Sequence, residues 1–73
     1  MAVETIDSPE STNILQASYD DTSRTLEIAF GDGSIYKYQN LPPEVWAGYK
    51  AAGSKGSYVA RQIRQRYNGA QVR

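Results

Sequence analysis

The side chains with most chemistry to offer are cations late in the chain: Lys55, Arg61 and Arg64. Arg61 and Arg64 stand three apart, a spacing that puts both on one side of a helix. A guanidinium is a planar fork of donors suited to bidentate contact with phosphate or carboxylate. With Lys55 in the preceding loop, they form a candidate contact for RNA or an acidic partner; the plainer alternative is the solvated face of an amphipathic helix. Tyr36-Lys37-Tyr38 has two rings at strand spacing with a cation between them. Such a pair can stack nucleic-acid bases, or it can be core tyrosines with hydroxyls at the rim. Near the N-terminus, Val3 and Ile6 stand among Glu4, Asp7 and Glu10. That mixture can dock on an apolar and basic protein surface.

Catalysis has little to work with. The chain has neither histidine nor cysteine, which excludes a thiol nucleophile, an imidazole base, a disulfide framework and zinc sites of the usual kinds. Ser54-Lys55-Gly56-Ser57 superficially resembles a phosphate-cradling loop, but its residue order does not match and it falls between two helical patterns rather than after a strand. Asp20-Asp21 reads as a turn former before it reads as a metal site. An enzyme built on Ser54, Lys55 and Tyr58 would need its pKa values tuned, and nothing in the pattern does that. The expectation is a non-enzymatic binding module without cofactor or metal.

Seventy-three residues make one small domain, and a domain of that size buries only about 60 % of its unfolded surface. The net charge is zero, yet residues 1–35 hold seven acids and one arginine, while residues 36–73 hold seven basic residues and one glutamate. Six net negative then faces six net positive, which predicts either an acidic and a basic surface or complementarity between sheet and helices. No signal peptide and no membrane span are expected, and a domain without disulfides fits a reducing cytoplasm. The free chain is expected to be monomeric.

The elements that position these side chains are read from period and turns. In Thr25–Gln39, Leu26, Ile28 and Phe30 alternate with polar or small residues, and Asp32-Gly33 supplies a turn. A two-residue turn would set Ile28 opposite Lys37 and Leu26 opposite Gln39. A three-residue loop with Gly33 left-handed sets Ile28 opposite Tyr36 and Leu26 opposite Tyr38, which keeps one face apolar. An earlier strand over 13–19 turns Leu15, Ala17 and Tyr19 inward. The predicted fold is α+β: a three-stranded antiparallel meander, residues 13–39, packed on one face by helices at about 43–52 and 57–67. Pro42-Pro43 starts the first helix and Ser57 caps the second, while Gly48 marks a close approach to the sheet. Residues 1–12 form a disordered acidic tail and 68–73 fray, leaving a single domain over 13–67. The expected core is Leu15, Leu26, Ile28, Phe30, Tyr36, Tyr38, Val45, Trp46, Tyr49, Val59 and Ile63.

The order Phe30, Gly33, Tyr36-Lys37-Tyr38, Pro42, Trp46, Ala52, Ser54, Gly56, Tyr58, Ile63, Tyr67 resembles the KTSC domain, first named from an extension at the C-terminus of some lysyl-tRNA synthetases. The resemblance covers nearly all of 13–67 and implies a small binding domain for which RNA is one suggested partner. A free-standing copy behind an acidic tail is also similar to small bacteriophage regulators that bind host RNA polymerase. That likeness implies contacts with the polymerase β′ subunit in a host cytoplasm, inhibition of initiation and antitermination. A sequence pI of about 6.1 favours polymerase over RNA as primary partner. In that reading Val3, Glu4, Ile6, Asp7 and Glu10 meet the protein while Lys55, Arg61 and Arg64 contact RNA.

Overall fold

Asp32 and Gly33 fix the geometry of the sheet. In the computed structural model, which describes residues 3–7 and 13–73, the Gly33 amide donates to the Phe30 carbonyl at 3.0 Å and the Phe30 amide to Ser34 at 2.9 Å. Gly33 has φ +93°, a region open to glycine at little cost. Asp32 Oδ1 accepts from both the amide and the hydroxyl of Ser34. The loop therefore holds three residues, and β3 (Thr25–Phe30) meets β4 (Ile35–Tyr38) with Leu26 opposite Tyr38 and Ile28 opposite Tyr36. The register is the one that keeps the apolar face intact.

The sheet has five strands rather than three. β1 (Val3–Asp7), β2 (Ile14–Asp20), β3, β4 and β5 (Gly69–Gln71) lie in sequence order, each antiparallel to the next. The expectation of disorder fails at residues 3–7, where the β-branched side chains of Val3, Thr5 and Ile6 suit a pleated edge strand. Thr5 and Ser18 hydroxyls bond across the pair at 3.0 Å, and Gln16 Nε2 donates to Asp7 Oδ1 at 2.9 Å. The rest of the predicted tail, residues 1–2 and 8–12, lies outside the described residues. The C-terminal segment does not fray, because β5 pairs with β4 and Gly69 lies against the Tyr38 ring.

A bulge in β2 overturns one core assignment. Ile14 pairs with Phe30 and Gln16 with Ala29, so Leu15 is the extra residue. Inserting one residue reverses the side-chain alternation; Ile14 is fully buried and Leu15 is 51 % exposed.

α1 (Pro43–Ala51) begins on a proline, with Glu44 in its first turn and Lys50 in its last, each placed to suit the helix dipole. α2 (Lys55–Tyr58) starts earlier than expected: its cap is Ser54, whose hydroxyl accepts from the Ser57 amide, rather than Ser57 itself. α2 runs into a π-helical turn (Val59–Ile63), closed by Arg64 N–H donating to the Val59 carbonyl at 2.8 Å. The helical path ends near Ile63 instead of Tyr67, with the Arg66 and Tyr67 amides both turned back onto the Ile63 carbonyl.

Both helical segments cover one face of the sheet. Ile14, Ala17, Tyr19, Leu26, Ile28 and Tyr38 meet Leu41, Trp46, Tyr49, Val59 and Ile63 there. Phe30, Tyr36 and Val45, expected in this core, are half-buried at its margin. Leu41 enters because Asn40 adopts φ +59° and redirects the chain, and the Tyr19 hydroxyl donates to the Leu41 carbonyl at 2.6 Å. Gly48 does mark a close approach, but to Tyr58 rather than to the sheet: a Cβ there would lie 3.0 Å from Tyr58 Cζ.

Candidate nucleic-acid interface

The hairpin loop and the π-helical turn form the walls of an open groove of about 500 Å³. Its sheet side comes from Phe30 and Tyr36, near the loop end of β3 and β4. Their rings meet edge to face, centroids 5.6 Å apart at 87°, a favoured aromatic arrangement. The Tyr36 hydroxyl donates to Gln71 Oε1 on β5 at 3.2 Å, so the half-buried ring is held from two sides. Asp32 and Asn13 line one end, while Val59 and Arg64 line the helical wall.

Electrostatics divides the groove. The Ser34 hydroxyl and amide bonded to Asp32 hold its carboxyl below the ordinary range, so it stays an acceptor. Burial pushes the Tyr38 hydroxyl up, while the positive charge of Arg64 acts the other way. Tyr38 is 3 % exposed, which leaves Tyr36 as the one ring of the Tyr36-Lys37-Tyr38 pair with surface to offer.

The three predicted cations separate into two roles. Lys55 is half-buried; its Nζ donates to the Ala52 carbonyl at 3.2 Å and reaches the Lys50 carbonyl at 3.5 Å. It also sits 5.7 Å from the Tyr49 ring centroid. Lys55 therefore caps the C-terminal end of α1, where unsatisfied carbonyls attract a cation. Arg61, Arg64 and Arg66 are exposed, and among the described residues none has a carboxylate within salt-bridge distance. Arg64 lines the groove just described, and Arg66 lines a second of about 480 Å³ with Lys37, Gln39, Asn40 and Tyr67.

The N-terminal candidates do not form one surface. Val3 and Asp7 are exposed, and the strand alternation puts them on the uncovered face of the sheet. Glu4 points to the helical side, where its Oε1 accepts from Trp46 Nε1 and Lys50 Nζ, each at 2.9 Å. The Trp46 hydrogen bond, then Lys50, lowers its pKa. Ile6 is half-buried against the core, and Glu10 lies outside the described residues. Glu4–Lys50 and Glu27–Lys37 both join the acidic and basic halves of the chain, the first between β1 and α1 at 2.9 Å and the second within the sheet at 3.9 Å.

The sequence pointed to Arg64 and Tyr36 but not to their sharing one groove, and it gave no sign of Asp32 and Asn13 as site residues. The hairpin register held part of the signal, since the three-residue loop brings Asp32 to the end where Phe30 and Tyr36 share a face. Asn13 reaches that end because its carbonyl accepts from the Gly31 amide at 2.8 Å. Among the described residues no group of acids could hold a metal ion, and no helix is long and apolar enough to cross a membrane.

A family model for the KTSC domain matches residues 10–67. The chain belongs to the KTSC domain family. A crystal structure of a KTSC domain protein from Yersinia pestis superimposes with a TM-score of 0.86 at 27 % identity, covering 99 % of this chain and 100 % of the other. The shared fold thus extends beyond the span of the family model to the segments that hold β1 and β5. A lysine–tRNA ligase of Nostoc punctiforme is 36 % identical over 64 residues, 88 % of this chain, which spans only 11 % of that enzyme. A protein of Tsukamurella paurometabola is 36 % identical over 58 residues, 80 % of this chain and 87 % of its own length. Sequences similar to this chain therefore occur both within a ligase and in a small protein of about this size.

Proposed function

We infer that this KTSC protein is a non-enzymatic module that binds RNA through the helical side of its groove. The carrying observation is the run Arg61, Arg64, Arg66: exposed guanidiniums without described carboxylate partners, of which Arg64 and Arg66 line grooves with half-buried tyrosines. Cations that repay no internal acid are available to phosphate, and an aromatic wall beside them suits an unpaired base. Similarity to a segment of lysine–tRNA ligases agrees with a role near RNA. The test is binding of transfer RNA and of single-stranded RNA across a salt series. Single-strand binding should weaken with a log–log slope of roughly 0.7 per phosphate contact. Reversing Arg61 and Arg64 to glutamate should abolish most binding with the fold intact; unchanged affinity and slope would refute the reading.

A protein partner is the second reading, favoured by the acids Asp7, Asp20 and Glu27 on and around the uncovered sheet face, which repel phosphate. Its form is a phage transcription regulator that binds the host RNA polymerase β′ subunit, inhibits initiation and promotes antitermination. The docking element proposed for it cannot be a free tail at residues 3–7, which form β1. Affinity capture from a bacterial lysate, with and without nuclease, separates the readings: polymerase recovered after nuclease supports the second, and loss of all partners on nuclease treatment supports the first.

A further inference from the structure

We propose that the groove between the hairpin loop and the π-helical turn accepts one unpaired guanine of an RNA strand, with its base against Tyr36, its donor edge on Asp32 and its phosphate on Arg64. The proposal rests on the RNA-binding reading and adds which base is chosen and how. A volume of about 500 Å³ lies within the range of about 300–1,000 Å³ typical of ligand sites.

The carboxylate decides the base. Both Ser34 bonds run to Asp32 Oδ1, which leaves Oδ2 clear of Ser34. An ionised carboxylate only accepts. Guanine alone among the four RNA bases presents two adjacent donors, N1–H and the exocyclic amino group, on its Watson–Crick edge. Adenine and cytosine set a ring acceptor beside their amino group, and uracil flanks its single N–H with two carbonyls. Each of these three would bring at least one lone pair against Asp32.

The other walls fit the same occupant. Tyr36 is held edge-on by Phe30 and bonded to Gln71, so little ordering is needed when a base packs on it. Gly56 and Ala60 carry almost no side chain where the helical wall faces the groove. Arg64 supplies the cation on that wall, and among the described residues it forms no ion pair with Asp32, so its charge is open to the phosphate.

The full chain is titrated against four fluorescent pentauridylates that differ only in a central G, A, C or U, read by anisotropy. The G-containing strand should bind about tenfold tighter than the others, the discrimination one bidentate base contact supplies. Asp32→Asn keeps the Oδ1 acceptor that holds the turn but replaces Oδ2 with a donor; it should erase the preference, so that the four strands bind with affinities within twofold of one another. Arg64→Ala should weaken all four strands alike. Amide shifts in the wild-type chain should fall on residues 31–36 and 56–64 when the G strand is added. Equal affinity for all four strands, a preference that survives Asp32→Asn, or shifts confined to Lys37, Asn40 and Arg66 would overturn the proposal while leaving RNA binding in place. Failure of every strand to bind would overturn both.

Discussion

The Trp46 indole donates to the Glu4 carboxylate at 2.9 Å, joining residues 42 positions apart. Trp46 also stacks between Tyr19 and Tyr49, with centroids 5.5 and 5.3 Å away. One carboxylate oxygen thus ties edge strand β1 to the centre of the helical layer, with Lys50 on the same atom.

That tie makes stability depend on acid pH. The folded-state pKa of Glu4 is lowered, first by Trp46 and then by Lys50. Its contribution is therefore present above the unfolded value of about 4.3 and is lost as pH falls through the folded one. Glu4→Ala should melt below wild type at pH 7, with the gap closing as pH drops below about 4. Thermal melts at pH 7, 5 and 3 measure it, and a gap constant with pH would show that the ionised form does not matter.

Gly48 gives a prediction in which two effects oppose. In an exposed helix, alanine is favoured over glycine by about 1 kcal/mol. Here the new methyl group would lie 3.0 Å from Tyr58 Cζ, while the Tyr58 hydroxyl is held by the Val45 carbonyl at 3.0 Å. Gly48→Ala should destabilise by about 1–3 kcal/mol, the usual cost of overpacking. Combining it with Tyr58→Leu should recover part of that loss in a denaturation-based double-mutant cycle.

Tyr38 is structural. Tyr38→Ala should cost about 3 kcal/mol or more, enough to unfold much of a marginal domain. Tyr38→Phe keeps the ring and should stay within about 1 kcal/mol. A Tyr38→Ala protein that kept its melting temperature but lost RNA would instead make that ring part of the interface.

Lys55 and Arg64, both cations of the second helical region, should separate by assay. Lys55→Ala removes the cap on α1 and should lower the melting temperature without changing the salt slope of RNA binding. Arg64→Ala should leave stability within about 0.5 kcal/mol and reduce the slope by roughly 1.

Much of the inner sheet was legible because it obeys local rules. Asp32-Gly33 and the alternation on both sides determine a register that one slip would ruin, and that register is present. Leu15 was misplaced because a bulge is a backbone event that leaves no mark on alternation; either Ile14 or Leu15 satisfies an apolar pattern. β5 is three residues long, too short for period two to show, and its place depends on Gly69 fitting the Tyr38 ring. β1 was hidden by composition, since its acids read as a solvated tail until Trp46 and Lys50 supplied a partner for Glu4. Lys55 was read by charge alone, whereas its position depends on where α1 ends. The arginines were legible as exposed, but that Arg64 shares a groove with Tyr36 and Asp32 is a property of the packed chain.

The strand order carries a kinetic consequence. β1, β2 and β3 each pair with the next strand along the chain, so those ladders close short loops and form early at small entropic cost. β5 must instead find β4 across both helical segments, as in the Tyr36–Gln71 contact 35 residues apart. In hydrogen exchange, the Gly69–Gln71 amides should acquire protection last during refolding and lose it first in mild denaturant. Because Gln71 holds Tyr36, each such excursion would briefly release one wall of the groove.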